Sequence, residues 1–79
     1  MDKVMVYLNS IDKVKSFVNT VSGFTCDFDL ISGRYVIDAK SIMGIFSLDL
    51  AKPIELNIHA TGEELEATRK ALEPFFWQG

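Results

Sequence analysis

A two-layer α+β sandwich is predicted by three features of this chain: four short runs of alternating apolar and polar residues, stretches with apolar residues at helical spacing, and their order, β-α-β-β-α-β-α. Helices gathered on one face of an antiparallel sheet give an open-faced arrangement, with one side of the sheet left to solvent. The chain has 79 residues, 48% of them hydrophobic, and no long polar tract, which suits one domain over residues 1–79 and argues against disorder.

The first strand is expected over residues 3–8, where Val4, Val6 and Leu8 share a face. Asn9 or Ser10 then offers a side-chain oxygen to cap a helix. Ile11, Val14, Phe17, Val18 and Val21 follow as one apolar stripe, closed by Ser22-Gly23 with the glycine in a left-handed conformation. Cys26, Phe28 and Leu30 alternate with Asp27 and Asp29 to make a half-buried strand. Ser32-Gly33 forms the hairpin turn, and a strand over residues 34–39 sends Tyr35, Ile37 and Ala39 to one side. Ser41 caps a short helix running to Phe46 or Leu48. After Pro53, Ile54, Leu56 and Ile58 alternate with Glu55, Asn57 and His59 as the fourth strand. Thr61-Gly-Glu-Glu64 has capping-box form, and Leu65, Thr68, Leu72 and Phe75 or Phe76 continue the inner stripe of the last helix. Pro74 stops or kinks that helix, because it removes a backbone donor and disfavours helical geometry at Glu73.

Composition narrows the function classes. The net charge of −3, from 8 basic and 11 acidic residues, disfavours direct nucleic-acid binding. The sheet also lacks an aromatic basic RNA-binding motif. One cysteine, Cys26, supplies neither an internal disulfide nor a metal cluster, which fits a reducing, cytoplasmic setting. No signal peptide is expected, and the apolar stretches are too short to cross a bilayer. Nothing calls for a metal or a cofactor. The single histidine, His59, has no second ligand nearby in sequence, and alternation places it on the open side of the sheet as a solvated strand residue.

The stretch Lys40-Ser41-Ile42-Met43-Gly44-Ile45-Phe46-Ser47-Leu48-Asp49-Leu50-Ala51-Lys52 resembles the regulatory-serine segment of HPr, the small histidine-containing phosphocarrier of the bacterial sugar phosphotransferase system. Ala39, Phe17-Val18, Gly23-Phe24 and the closing strand with its Gly-Glu helix start extend the likeness over nearly the whole chain. The resemblance implies four antiparallel strands covered on one side by three helices. It also implies that Ser41 is a regulatory phosphorylation site and that Ile42, Met43 and Phe46 form an exposed docking patch; read from the residues alone, Ser41 is a helix cap and the other three are core candidates, with Ile45, Leu48 and Leu50 the better ones. Methionine and aromatic side chains suit an adaptable interface.

Where the family carries its active histidine, an arginine and a proline, counting back from Phe17-Val18 gives Ser10, Asp12 and Lys13. A carrier needs an imidazole because its P–N bond is labile, whereas a serine phosphate is a stable ester. Asp12 reverses the charge of the arginine that would steady a phosphate. The resemblance therefore implies a non-catalytic regulatory module, no enzyme, similar to the catabolite-repression HPr-like proteins. Those lack the histidine and keep the serine, so the partners implied are an HPr kinase/phosphorylase and a transcriptional regulator, with sugar transport regulation as the setting. A carrier using His59 or another acceptor and a purely structural or oligomeric module are the alternatives. Lys13, Lys15 and Lys40 read as scattered surface lysines or a modest basic patch. The end Pro74-Phe75-Phe76-Trp77 reads as a lid folded back on the core or as a self-association surface. Oligomeric state stays open.

Overall fold

The computed structural model describes residues 2–78. In chain order the elements are β1 (Asp2–Val6), α1 (Ile11–Ser22), β2 (Asp27–Ser32), β3 (Tyr35–Asp38), α2 (Ile42–Phe46), β4 (Ile54–His59) and α3 (Gly62–Leu72), followed by a 3-10 turn at Glu73–Phe75. The strands form one antiparallel sheet in the order β1-β4-β2-β3. This is the expected α+β sandwich with its four strands and three helices.

Alternation explains how the two layers join. Val6, Phe28, Leu30, Ile54, Leu56 and Ile58 leave the same face of the sheet and meet Val14, Phe17 and Val21 of α1, Ile45 of α2 and Leu72 of α3 in one core. Thr68 is also fully buried there, because its hydroxyl donates to the Leu65 carbonyl at 2.8 Å and leaves no unpaired polar atom. The opposite face carries Lys3, Met5, Glu55, His59, Asp27 and Asp29, and among the described residues no helix covers it.

Several local expectations are corrected. Ile11 is 62% exposed, because the first turn of α1 projects past the sheet and only the stripe from Val14 onward reaches the core. Tyr35 is 68% exposed at the hairpin end of the edge strand, beyond Ile37, where α2 packs on β3. The hairpin loop is Gly33-Arg34, one residue later than expected, with the left-handed backbone on Gly33 (φ 60°). Glycine there allows the type of tight turn whose twist matches its strands. Gly23 ends α1 with a right-handed φ of −77°, so no left-handed cap is used. The Thr61–Glu64 capping box does not form: Thr61 makes no side-chain cap bond, and the Glu64 carboxylate instead accepts from the Thr25 hydroxyl at 3.4 Å.

Pro74 does end α3, which stops at Leu72 and tightens into the 3-10 turn. The chain then folds back along β1: the Tyr7 N–H donates to the Phe75 carbonyl and the Trp77 N–H to the Met5 carbonyl, both at 2.9 Å. Phe75 is buried edge-on against Phe17, with ring centroids 5.6 Å apart, while Trp77 stays about half exposed. The terminal aromatics therefore shield the β1 edge and plug the core. Cys26 lies just before β2 and is half-buried; burial first, and then the Glu64 charge, push its thiol above the ordinary range.

Candidate functional site

The two helix starts singled out in the sequence, at Ser10 and Ser41, belong to neighbouring elements, since α1 and α2 are in contact on the same side of the sheet. Each serine is an N-cap with extended backbone geometry. Ser10 Oγ accepts from the Lys13 N–H at 3.1 Å, and Ser41 Oγ accepts from the Gly44 N–H at 3.3 Å. A cap of this kind contributes about 1 kcal/mol. Both residues are exposed.

Around Ser10 the chemistry is limited. Asp12 and Lys13 are exposed on the first turn, and a shallow cavity of about 310 Å³ runs from them past Ser16 to Pro74 and Phe75. The Lys13 ammonium lies over the Tyr7 ring, 5.8 Å from its centre. No imidazole stands here. Antiparallel pairing sets Val6 opposite Ile54 and Asp2 opposite Ile58, so α1 begins beyond the Ile54 end of β4. His59 is at the other end, separated by five residues and therefore about 17 Å of strand. It also points to the open face, where Nε2 and Asp29 Oδ2 are 2.6 Å apart.

Around Ser41 the surface is apolar and tightly supported. Met43 is 76% exposed and Phe46 is 40% exposed, whereas Ile42 is half-buried and packs against the core. Ile45 is fully buried and anchors the helix; Leu48 and Leu50 sit partly buried at the core margin. Before the helix, the Asp38 carbonyl accepts from the Ser41 N–H at 3.0 Å, and Asp38 Oδ1 accepts from the Lys40 N–H at 2.9 Å. Lys40 is tethered as well. Its ammonium donates to the Phe24 carbonyl at 2.9 Å and lies 5.9 Å from the Phe28 ring centre, which ties it to its own fold.

Gly44 was not singled out in the sequence, yet it sets how closely α2 lies on the sheet. A Cβ at this position would fall 2.7 Å from Ile37 Cγ2 and 3.2 Å from Ser41 Oγ. Ile37 is β-branched and cannot swing that methyl aside freely. Gly44→Ala is therefore expected to lose roughly 1 kcal/mol net: overpacking costs about 1–3 kcal/mol and exceeds the gain of about 1 kcal/mol in helix propensity. Urea unfolding at constant slope checks it; a variant more stable than wild type would show that α2 has room to move.

Ile11 was placed with the core by its spacing. Its position in the first turn of α1, ahead of the part of the helix that crosses the sheet, was the available signal that it is exposed. Among the described residues, no three histidine, cysteine, aspartate or glutamate side chains are grouped to hold a metal, and no helix is long and apolar enough to cross a membrane.

Comparison with known proteins fits this frame. The family model described as the PTS HPr component phosphorylation site matches residues 13–78. Among solved structures, the chain is similar to HPr-C-His from Thermoanaerobacter tengcongensis, determined by crystallography, at 27% sequence identity and a TM-score of 0.75, over 94% of this chain and 89% of that one.

Proposed function

This chain belongs to the HPr family of the phosphotransferase system, and within that family we propose that it is a non-catalytic, protein-binding regulatory module switched by phosphorylation of Ser41. The observation that carries the proposal is an accessible serine hydroxyl at the start of a short helix, followed at once by the exposed side chain of Met43 and one turn later by Phe46. A phosphate there adds roughly −1.5 to −2 charge beside an apolar docking patch. Such a change alters which partner docks without requiring the core to move, because Ile45 and the sheet beneath are already packed.

The same reading gives Ser10 and Asp12 no carrier role. A phosphate on Ser10 would be a stable ester, Asp12 puts a negative charge where the family has its phosphate-steadying arginine, and His59 is remote from both. The partners are then a kinase of the HPr kinase/phosphorylase type and a transcriptional regulator involved in carbon catabolite repression. The setting is the cytoplasm, with residues 1–79 acting as one domain and without a cofactor. Of the family's docking residues, Met43 and Phe46 provide the exposed surface, and Ile42 provides its buried margin.

Incubation with ATP and an HPr kinase, read by intact mass, is expected to add one phosphate to the wild type and none to Ser41→Ala. Absence of phosphate on the wild type would remove the switch. A second reading rests on the Ser41 Oγ bond to the Gly44 N–H: the serine serves only as a cap. In that case Ser41→Ala loses about 1 kcal/mol and Ser41→Asp changes no partner.

A further inference from the structure

The two edges of the sheet are treated differently. Along β1, the returning C-terminal segment occupies outward backbone groups at Met5 and Tyr7 and pairs Phe76 with Val6. Along β3, among the described residues, no strand pairs with the outer side, although the outward Asp38 carbonyl accepts from the Ser41 N–H. Tyr35 and Val36 of this strand are 68% and 65% exposed. An open edge of this kind is a template for another strand.

The hydrogen-bond phase of β3 is fixed by two observations. Ala39 N–H donates to the Phe28 carbonyl at 2.9 Å, in the same register that sets Ile37 opposite Leu30 and Tyr35 opposite Ser32. Bonded and non-bonded pairs alternate in an antiparallel ladder, so Tyr35, Ile37 and Ala39 turn their backbone groups toward β2 and Val36 and Asp38 turn theirs outward. The side chains also alternate. Tyr35 and Ile37 lie on the helix-bearing face; Val36 and Asp38 lie on the open face.

From this phase we infer that β3 pairs with β3 of a second copy of this chain, antiparallel, with Val36 on the two-fold axis. Residues directly opposite each other in such a pair must share a face and a bonding phase. Placing Val36 against Val36 satisfies both conditions. The same register sets Tyr35 against Ile37 of the partner subunit, joining two apolar side chains on the helix face. Continued one residue past the strand into the hairpin loop, the register brings Arg34 to Asp38 of the partner subunit, a carboxylate whose Oδ1 accepts from its own Lys40 N–H, and the reciprocal pair repeats the contact, so the edge is complementary to itself in charge. Edge strands that avoid partners carry charges that repel a second copy; here the two charges flanking Val36 are opposite in sign and two residues away on either side. Val36 N–H and C=O exchange bonds across the axis. Asp38 N–H adds one to the partner's Arg34 carbonyl, while the Asp38 carbonyl is already engaged by Ser41 N–H.

The result is a continuous eight-stranded sheet with both helical layers on one face. Ser41 follows Val36 by five residues, so each serine lies within about 18 Å of the axis along the chain. A dimer would thus present two copies of the Ser41 surface together, whatever modification they carry.

The test uses the full chain with Cys26→Ser, so that one introduced thiol is the only one present. Mild oxidation of Val36→Cys in this background is expected to give a covalent dimer, because bonded antiparallel pairs hold their Cα atoms about 5.5 Å apart, within disulfide range. Tyr35→Cys should remain monomeric, since each thiol faces the partner's Ile37 and lies too far from its equivalent. In the protein without added thiols, sedimentation equilibrium should show association rising with concentration. Val36→Pro should abolish it while circular dichroism and thermal midpoint stay near wild type, because an outward N–H is not needed by the fold. A monomeric wild type at millimolar concentration, equal crosslinking at positions 35 and 36, or association untouched by Val36→Pro would each overturn the inference. Binding of an unrelated peptide at β3 in place of a second copy would do so too.

Discussion

Replacing Phe17 by alanine is expected to lower stability by about 3–5 kcal/mol, among the largest losses from a single side chain in this fold. Phe17 is fully buried at the middle of α1 and packs edge-on against Phe75. It therefore joins the helical layer to the C-terminal turn, which in turn holds the outer side of β1. Removing the ring takes away transfer energy and leaves a void that Phe75 cannot fill, because Pro74 and two backbone bonds fix its segment. A domain of this size has about 5–15 kcal/mol in total, so the variant sits near the folding threshold. Thermal unfolding should show a midpoint lower by more than about 12 °C. Ile11→Ala, on the same helix but exposed, should change stability by less than about 0.5 kcal/mol. If the two variants lose similar amounts, the burial pattern given for α1 is wrong.

That contrast also shows where the sequence was legible. Period-two runs at β1, β2 and β4 identified the inward faces, since each has a helix above it and a single register satisfies both neighbours. The capping serines were legible because their chemistry is local: a hydroxyl three residues before a free N–H. Failures came where tertiary context decides. Tyr35 alternates with core residues yet ends up exposed, because β3 lies at the sheet edge, and strand order is not written in a strand's own periodicity. Glu64 abandons its cap for Thr25, 39 residues away in sequence. Gly44 carried no local signal at all; its meaning depends on the approach of Ile37 from another element.

The candidate site divides in the same way. Ser41, Met43 and Phe46 were singled out by the resemblance of their run to the regulatory-serine segment of HPr, not by their spacing, which alone gave a helix cap and candidate core residues. Ile42 turned out half-buried because a five-residue helix lying close on the sheet has little surface left to expose. The self-complementary pair of Arg34 and Asp38 was invisible without the strand order, since only an edge makes their spacing relevant. On the two proposals made above, regulation and association would draw on the same β3–α2 segment, and carrier chemistry would have to be built at α1.

Building it is feasible, and the triple variant Ser10→His, Asp12→Arg, Lys13→Pro is expected to turn no phosphoenolpyruvate-dependent labelling through enzyme I into substantial labelling that is lost on heating in acid. The local geometry tolerates the changes together. The first helical bond of α1 is Val14 N–H to the Ser10 carbonyl, so the Lys13 N–H has no helical partner and is satisfied only by Ser10 Oγ. Removing the hydroxyl alone would strand that donor; a proline at 13 removes donor and need at once. The lost cap costs about 1 kcal/mol, and exchanging an acid for a base at a helix N-terminus costs about 0.3–1 kcal/mol more, which a folded domain withstands. In return, an imidazole forms a labile phosphoryl bond and the guanidinium supplies charge-assisted hydrogen bonds where Asp12 would repel. The single Ser10→His variant, still facing Asp12, should label far less. Two results would refute this account: labelling of the wild type that vanishes in His59→Ala, or a folded triple variant that takes no phosphate. The first would make His59 an acceptor despite its place on the open face, and the second would mean that the missing chemistry lies beyond the start of α1.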